Sequence, residues 1–270
     1  MTLIHEKAQK EDFYADQERV AVHLEMEWSD FIIEPTNAPP SAIEWPDPRR
    51  DRTAPTFYKM FCRQTCVWLA QRHIAPMSHC DVGGGTGRAL HELACALPSL
   101  RDLVLIEPSE NLARWAHLLL TTCDQLTFPT DSSQGMSSRD RTMRRPHPIN
   151  QGDRQVSIQT QTIEQAVLPD GSFQLVTCLN VIDRHPEPRK LVHRLHKILA
   201  SEGLLVIASP LDFLERITPR CHWVTDLGAL FETPGWERVG QTDLALDVRT
   251  SNRSWTRYVS QVVGMAKKAS

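Results

Sequence analysis

Asp81 stands two residues ahead of a run of glycines, Gly83, Gly84, Gly85 and Gly87, in the order D-V-G-G-G-T-G. A stretch this bare lets backbone N–H groups touch a ligand directly. A helix beginning at such a loop also favours negative charge at its N-terminus. Glu107, twenty residues after Gly87, closes the apolar run Leu-Val-Leu-Ile and is followed by Pro108. A carboxylate placed there can accept hydrogen bonds from both hydroxyls of a ribose; its plainer role is an acidic charge at a helix start. A third polar group gathers in "LNVIDRH", where Asn180, Asp183 and His185 follow an apolar run. Asp183 has a structural alternative as a helix cap or an ion pair with Arg184. His185 can serve as a base toward a hydroxyl or carboxylic substrate, or sit as a loop histidine facing solvent. Tyr58, Trp45 and Trp223 can pave a pocket or fill a core. Arg216 and Arg220 can grip a carboxylate in bidentate fashion, or lie on the surface.

These residues need elements to hold them. The spacing predicts a strand ending at Val82, then a helix with Ala89, Leu90, Leu93, Ala94 and Leu97 on one side. "LVLIE" is the next strand. Ser109 caps a helix whose stripe is Leu112, Trp115, Ala116 and Leu119. "VSIQT" and "QLVTCLN" read as strands, the latter preceded by an Asp170-Gly171 turn. A helix over Pro188 to Ala200 is ended by Gly203, and "LLVIASP" is a buried strand. "WERVGQTDLAL" and "SWTRYVSQVVGMA" form an antiparallel terminal pair. Strands of nearly continuous apolar character alternating with helices mean an α/β fold, a doubly wound, mostly parallel sheet covered on both faces. In that fold ligands bind beyond the carboxyl ends of the strands, where strand order reverses. The glycine run occupies that place.

Two flanking regions break the pattern. Residues 1–55 read as an accessory lid segment, with a poorly periodic helix over 11–31 and a proline-rich stretch after it; a helix over 56–73 opens the domain of residues 56–270. Residues 124–153 are polar, with almost nothing to bury, and read as a surface insertion.

The glycines narrow the ligand. G-x-G-x-x-G would suit a dinucleotide, but the third position is Arg88; no lysine completes a triphosphate loop. Asp81, Gly83, Gly85 and Gly87 instead make D-x-G-x-G-x-G, which resembles motif I of class I S-adenosylmethionine-dependent methyltransferases over residues 75–268. The resemblance implies a seven-stranded Rossmann-like sheet. It implies S-adenosyl-L-methionine as methyl donor and S-adenosyl-L-homocysteine as product. By the same likeness Asp81, the four glycines, Glu107, Pro108 and Asn180 line the donor, and Glu164 lies near the adenine. "LNVIDR", "GLLVIASP" and "SPLDFLERITPRCHW" resemble the C-terminal mercaptohistidine N-methyltransferase domain of ovothiol synthase. Protein-histidine N-methyltransferases carry a similar N-[VL]-[IL]-D-R. The chain departs from both in its triple glycine, its N-terminal segment and its insertion. The likeness implies an imidazole-like nitrogen, or an oxygen, as methyl acceptor. Asp183 then holds the proton of the other ring nitrogen, Asn180 and His185 assist, and Tyr58, Trp223 and Arg216 line the substrate.

Bulk properties set bounds. The 270 residues carry a formal net charge of −3 with 23% charged side chains, which excludes nucleic acid and anionic membrane as main partners. Seven scattered cysteines suit a reducing cytoplasm. Cys62 and Cys66 stand four apart, yet no second pair follows at zinc spacing, so no metal is expected. No apolar run spans a bilayer and no signal pattern opens the chain. The expectation is a cytoplasmic enzyme acting on a small molecule, by fold-level analogy in natural-product biosynthesis, with a protein or peptide acceptor as the alternative. A homodimer is compatible with all of this.

Overall fold

The computed structural model describes residues 14, 17–33, 56–122, 126–129, 140–144, 146–232, 234–251 and 254–269. Among these residues the α-helices are α1 (Gln17–Trp28), α2 (Phe57–Gln71), α3 (Arg88–Ala96), α4 (Glu110–Thr121) and α5 (Pro188–Ile198). The strands are β1 (Ile32–Ile33), β2 (Ser78–Val82), β3 (Asp102–Ile106), β4 (Leu126–Pro129), β5 (Asp140–Met143), β6 (Gln155–Gln159), β7 (Phe173–Leu179), β8 (Leu199–Ser209), β9 (Trp236–Ser251) and β10 (Ser254–Lys267). Seven form one sheet in the order β6-β3-β2-β7-β8-β10-β9. β10 runs antiparallel to both neighbours, and the other pairings are parallel. The order reverses between β2 and β7, which places the loops after β2, β3 and β7 at one crevice.

Side-chain alternation divides the core. Leu204, Val206 and Ala208 of β8 join a cluster with α2 and α3, whereas Leu205 and Ile207 join one with α5 and the short helix Leu227–Phe231. α5 starts with Pro188 in its first turn, where a missing N–H costs nothing. It buries Leu191, Val192, Leu195 and Ile198, one helical stripe. Ser109 caps α4, its side chain accepting from the Leu112 N–H at 3.4 Å. In the terminal pair Gly240 faces Gly264, and the Trp68 indole of α2 lies on both. A Cβ on either would stand 2.3 and 2.6 Å from that ring, so the strands are bare where the indole presses.

Two expectations change, and a third falls partly outside the described residues. The helix after Pro188 ends at Ile198 and runs directly into β8; the left-handed residue is Glu202 (φ 61°), and Gly203 sits where a Cβ would meet the Ala200 carbonyl at 2.9 Å. The N-terminal helix starts at Gln17; residues 1–13, 15–16 and 34–55, with Trp45, lie outside the described set. The insertion is not all surface. β4 and β5 pair antiparallel, and β1 adds to β5 with Ile32 opposite Met143. Met143 is fully buried against Leu24, Trp28, Leu112 and Leu119, and Ile149 joins the core near α3. Residues 32–33 and the insertion's hairpin thus complete one small three-stranded sheet. Among the described residues no helix is long and apolar enough to cross a membrane.

Candidate active site

The β2–α3 loop turns on Gly83, Gly85 and Gly87, with φ of 68°, 55° and 89°. The Gly83 N–H donates to the Ile106 carbonyl at 2.8 Å, which ties the loop to the end of β3. Glu107, next in sequence, accepts from the Gly85 N–H at 3.0 Å and from the Ser109 N–H at 2.9 Å. Burial pushes its carboxyl up to about 7, against the pull of those two N–H groups. Pro108 beside it is exposed. Gly84 backs onto Leu105 and Asp81.

Asp81 is 1% exposed. Its Oδ1 accepts from Thr177 Oγ1 at 2.7 Å across the β2–β7 pairing. The Thr177 oxygen in turn lies 2.8 Å from His79 Nε2, so that ring carries its hydrogen on Nε2. Burial holds the His79 ring near 3, neutral at physiological pH. Asp81 Oδ2 makes no hydrogen bond, although the Leu90 N–H pulls on the carboxyl. Burial pushes this carboxyl to about 7, Thr177 opposes, and the charges of Glu27 and Glu107 push further.

Glu27, on α1, is the residue the sequence did not disclose. Its Oε2 accepts from the Thr86 N–H at 3.2 Å and from the Thr86 hydroxyl. Its Oε1 lies 2.9 Å from His23 Nε2 and accepts from the Tyr58 hydroxyl at 3.3 Å. A Cβ on Gly85 would stand 2.6 Å from both Glu27 Oε1 and His23 Nε2. The bare main chain at 85 is therefore covered by α1. Arg88 holds the helix there. Its buried guanidinium donates to the Glu27 carbonyl at 2.6 Å, to both Asp30 oxygens at 2.6 and 2.9 Å, and through Nε to Glu92 at 2.8 Å. It lies 5.0 Å from the ring centres of Trp28 and Phe31. The position that fails the dinucleotide pattern is the anchor of the N-terminal segment. Polar residues at every second position hid α1: His23, Glu25 and Glu27 interrupt its apolar period, and both acids are buried.

At the end of β7, Asn180 takes a left-handed φ of 56°, which asparagine tolerates. Its N–H donates to the Ala208 carbonyl at 2.7 Å and its Oδ1 accepts from Ser260 at 3.1 Å. The next residue, Val181, presses on Gly83, where a Cβ would be 2.3 Å away. Asp183 lies behind, 1% exposed, with Oδ1 accepting from Ser209 at 2.9 Å and Oδ2 from Arg184 at 2.7 Å. Its expected structural alternative, the Arg184 pair, is present. His185 Nδ1 accepts from the Glu187 N–H at 3.1 Å, so Nε2 carries the hydrogen and donates to Glu164 at 2.8 Å. Two sequence candidates are thereby joined. Thr218 links them to the remaining pair of loops: its hydroxyl donates to the His185 carbonyl at 2.8 Å, and its carbonyl accepts from Trp223 Nε1 at 2.7 Å. Trp223 stacks on Phe213 at 5.8 Å. Arg216 is exposed on the same loop, and Arg220 pairs with Glu215 at 3.0 Å. Among the described residues no three His, Cys, Asp or Glu side chains are grouped to hold a metal.

A methyltransferase-domain family matches residues 56–255, most of the chain. The chain belongs to that family. It is a methyltransferase whose donor is S-adenosyl-L-methionine. No curated protein sequence matches it. Among solved structures it is similar to a chain described as a sarcosine dimethylglycine methyltransferase of Galdieria sulphuraria. The two share a TM-score of 0.51 and 11% identity over 77% of this chain and 86% of that one. It is also similar to the magnesium protoporphyrin IX methyltransferase of Synechocystis PCC 6803 with bound donor, at a TM-score of 0.48 and 15% identity over 78% and 80% of the two chains. These likenesses concern the fold. The fit of the donor rests on the site itself: Asp81 presents an orphaned, buried carboxylate oxygen, and Glu107 joins it across the glycine loop, which suits a cationic nucleoside.

Proposed function

We propose that this methyltransferase acts on a nitrogen or oxygen of a small molecule, with an imidazole-like nitrogen as the preferred acceptor. The observation that carries the reading is the covered loop. Asp81, Gly83 to Gly87 and Glu107 converge at the ends of β2 and β3, and α1 lies across them through Glu27 and Arg88. A protein acceptor needs an open groove, and the α1 cover argues for a compact one. The resemblance of "LNVIDR" to imidazole N-methyltransferases supplies the choice of nitrogen.

Asp81, the glycines and Glu107 would hold the donor, which when bound supplies an electrophilic methyl group on a sulfonium. The protein's own part is mostly placement; orientation alone can lower such a barrier by ~7–11 kcal/mol. Glu107 offers two carboxylate oxygens to a pair of vicinal hydroxyls while the Gly85 and Ser109 N–H groups fix its direction. Asn180, in its left-handed turn, presents polar atoms at the end of β7. α1 excludes water from the loop. The His185 Nε2–H keeps the Glu164 carboxylate oriented at the edge of this crevice.

Calorimetric titration with donor and product tests the donor site. Glu107→Ala should weaken donor binding at least about tenfold, the loss of a charge-assisted hydrogen-bond pair. Unchanged affinity would remove the ribose assignment. Incubation of cell extract with labelled donor, followed by separation of protein from small molecules, tests the acceptor; label confined to protein would reverse the choice.

A further inference from the structure

The family match begins at residue 56, so α1 lies outside it. Yet α1 brings a third carboxylate to the glycine loop. Glu27, Asp81 and Glu107 are each at most 6% exposed, and Asp81 feels the charge of the other two. Three buried acids around one loop are a poor arrangement unless a cation joins them. The cations already present are largely matched. Arg88 is bound by Asp30 and Glu92. His23 bonds Glu27, and the charges of Glu27 and Glu107 raise its pKa against the effect of burial. Asp81 Oδ2 has no hydrogen bond at all. The donor carries a sulfonium, an ammonium and a carboxylate, net +1; the product has lost the sulfonium charge and is net neutral.

We propose that Glu27 is a ligand-specificity residue, completing with Asp81 and Glu107 a three-carboxylate cradle that favours the cationic methyl donor over its neutral product. The inference rests on the donor occupying this loop. Its consequence is a site that loosens its grip once the methyl group has left. α1 supplies the charge because Gly85 lacks a side chain: Glu27 Oε1 sits on the face a Cβ would fill. Four donors fix that carboxylate in direction, from His23, Tyr58 and Thr86.

Titration calorimetry of the intact chain with S-adenosyl-L-methionine and S-adenosyl-L-homocysteine gives the test, read as the ratio of product Kd to donor Kd. The wild type should favour the donor. Glu27→Gln removes the charge at nearly constant size and should lower the ratio about tenfold, by weakening the donor and leaving the product little changed. Glu27→Asp should keep the ratio within about threefold of the wild type, since the charge remains. His23→Gln removes an imidazole whose protonation the neighbouring acids favour and should move the ratio the other way, toward the donor. A purely structural role for α1 would weaken both ligands together in every variant. Equal weakening, or a His23→Gln ratio that stays or falls, overturns the proposal. Should Glu27→Gln fail to fold by circular dichroism, the His23→Gln direction decides alone. A wild type that binds product as tightly as donor overturns this inference while leaving the donor site intact; a wild type that binds neither overturns the donor site, and this inference with it.

Discussion

Glu107 and Asp81 are carboxylic acids kept near neutrality by their surroundings, and that makes the site sensitive to pH. Both titrate at about 7, burial being the main cause. A cationic donor prefers their ionised forms, so its affinity should rise as pH climbs from 6 through 7 and level off above about 8. Binding at pH 7 should release protons, visible in calorimetry as a heat that changes with the ionisation enthalpy of the buffer. Affinity that falls over the same range would contradict the assignment. The free protein should behave in the opposite sense. With folded values near 7 against ordinary values of 3.8 and 4.5, these two groups contribute stability that is complete below about 4 and lost as pH rises through 7. The pair was legible in the sequence as types and spacing, because strand ends and a bare loop leave a period of their own. Their shifted chemistry was not, since it depends on burial by elements distant in sequence, with Glu27, more than fifty residues away, adding a smaller push. Asp183 and His185 stood out as polar residues after an apolar run, but which way each would point was invisible. Ser209 and Arg184 hold one, and Glu164 and the Glu187 N–H hold the other.

At the scale of elements, α1 packs through Val20, Leu24 and Trp28, and Arg88 makes the densest set of polar bonds to its C-terminal end. Arg88→Met keeps the packed stem and removes every guanidinium bond to Asp30, Glu92 and the Glu27 carbonyl. Breaking a fully buried pair costs ~3–5 kcal/mol, and the partial exposure of Asp30 reduces this to about 2–3 kcal/mol. Amide exchange in residues 17–31 should quicken about thirtyfold or more, while amides of β2, β3 and β7 keep their protection. A uniform acceleration across the sheet would mean that Arg88 supports the core rather than the helix. Helices α3, α4 and α5 were readable because their apolar residues recur at three and four. α1 was blurred because its buried face mixes Val20, Leu24 and Trp28 with Glu25 and Glu27. An arginine just after the glycines reads as solvent-facing by type, and nothing local says that Asp30 waits for it.

For the molecule as a whole, ligand and fold are linked. Donor at a hundred times its Kd should add ~2.7 kcal/mol to stability. For a chain of this size that raises the melting temperature by about 5–10 °C. A thermal scan showing no shift with saturating donor would place binding outside the folded state described. The central sheet could be read from sequence because a strand buried on both faces is a continuous apolar run. The insertion could not. Its hairpin gains a third strand from residues 32–33, more than a hundred positions earlier, and a pairing that distant leaves no local signature.

That borrowed strand has a practical meaning. Residues 17–33 and the inserted hairpin are clasped to each other beside the reactive crevice, so neither of these pieces is a free appendage. A truncated chain begun at residue 56 would strip the inserted hairpin of its partner, and one excised of residues 124–153 would unfasten the helix that roofs the glycines. Anyone trimming this enzyme for crystals or transplanting its loops must move the two pieces together.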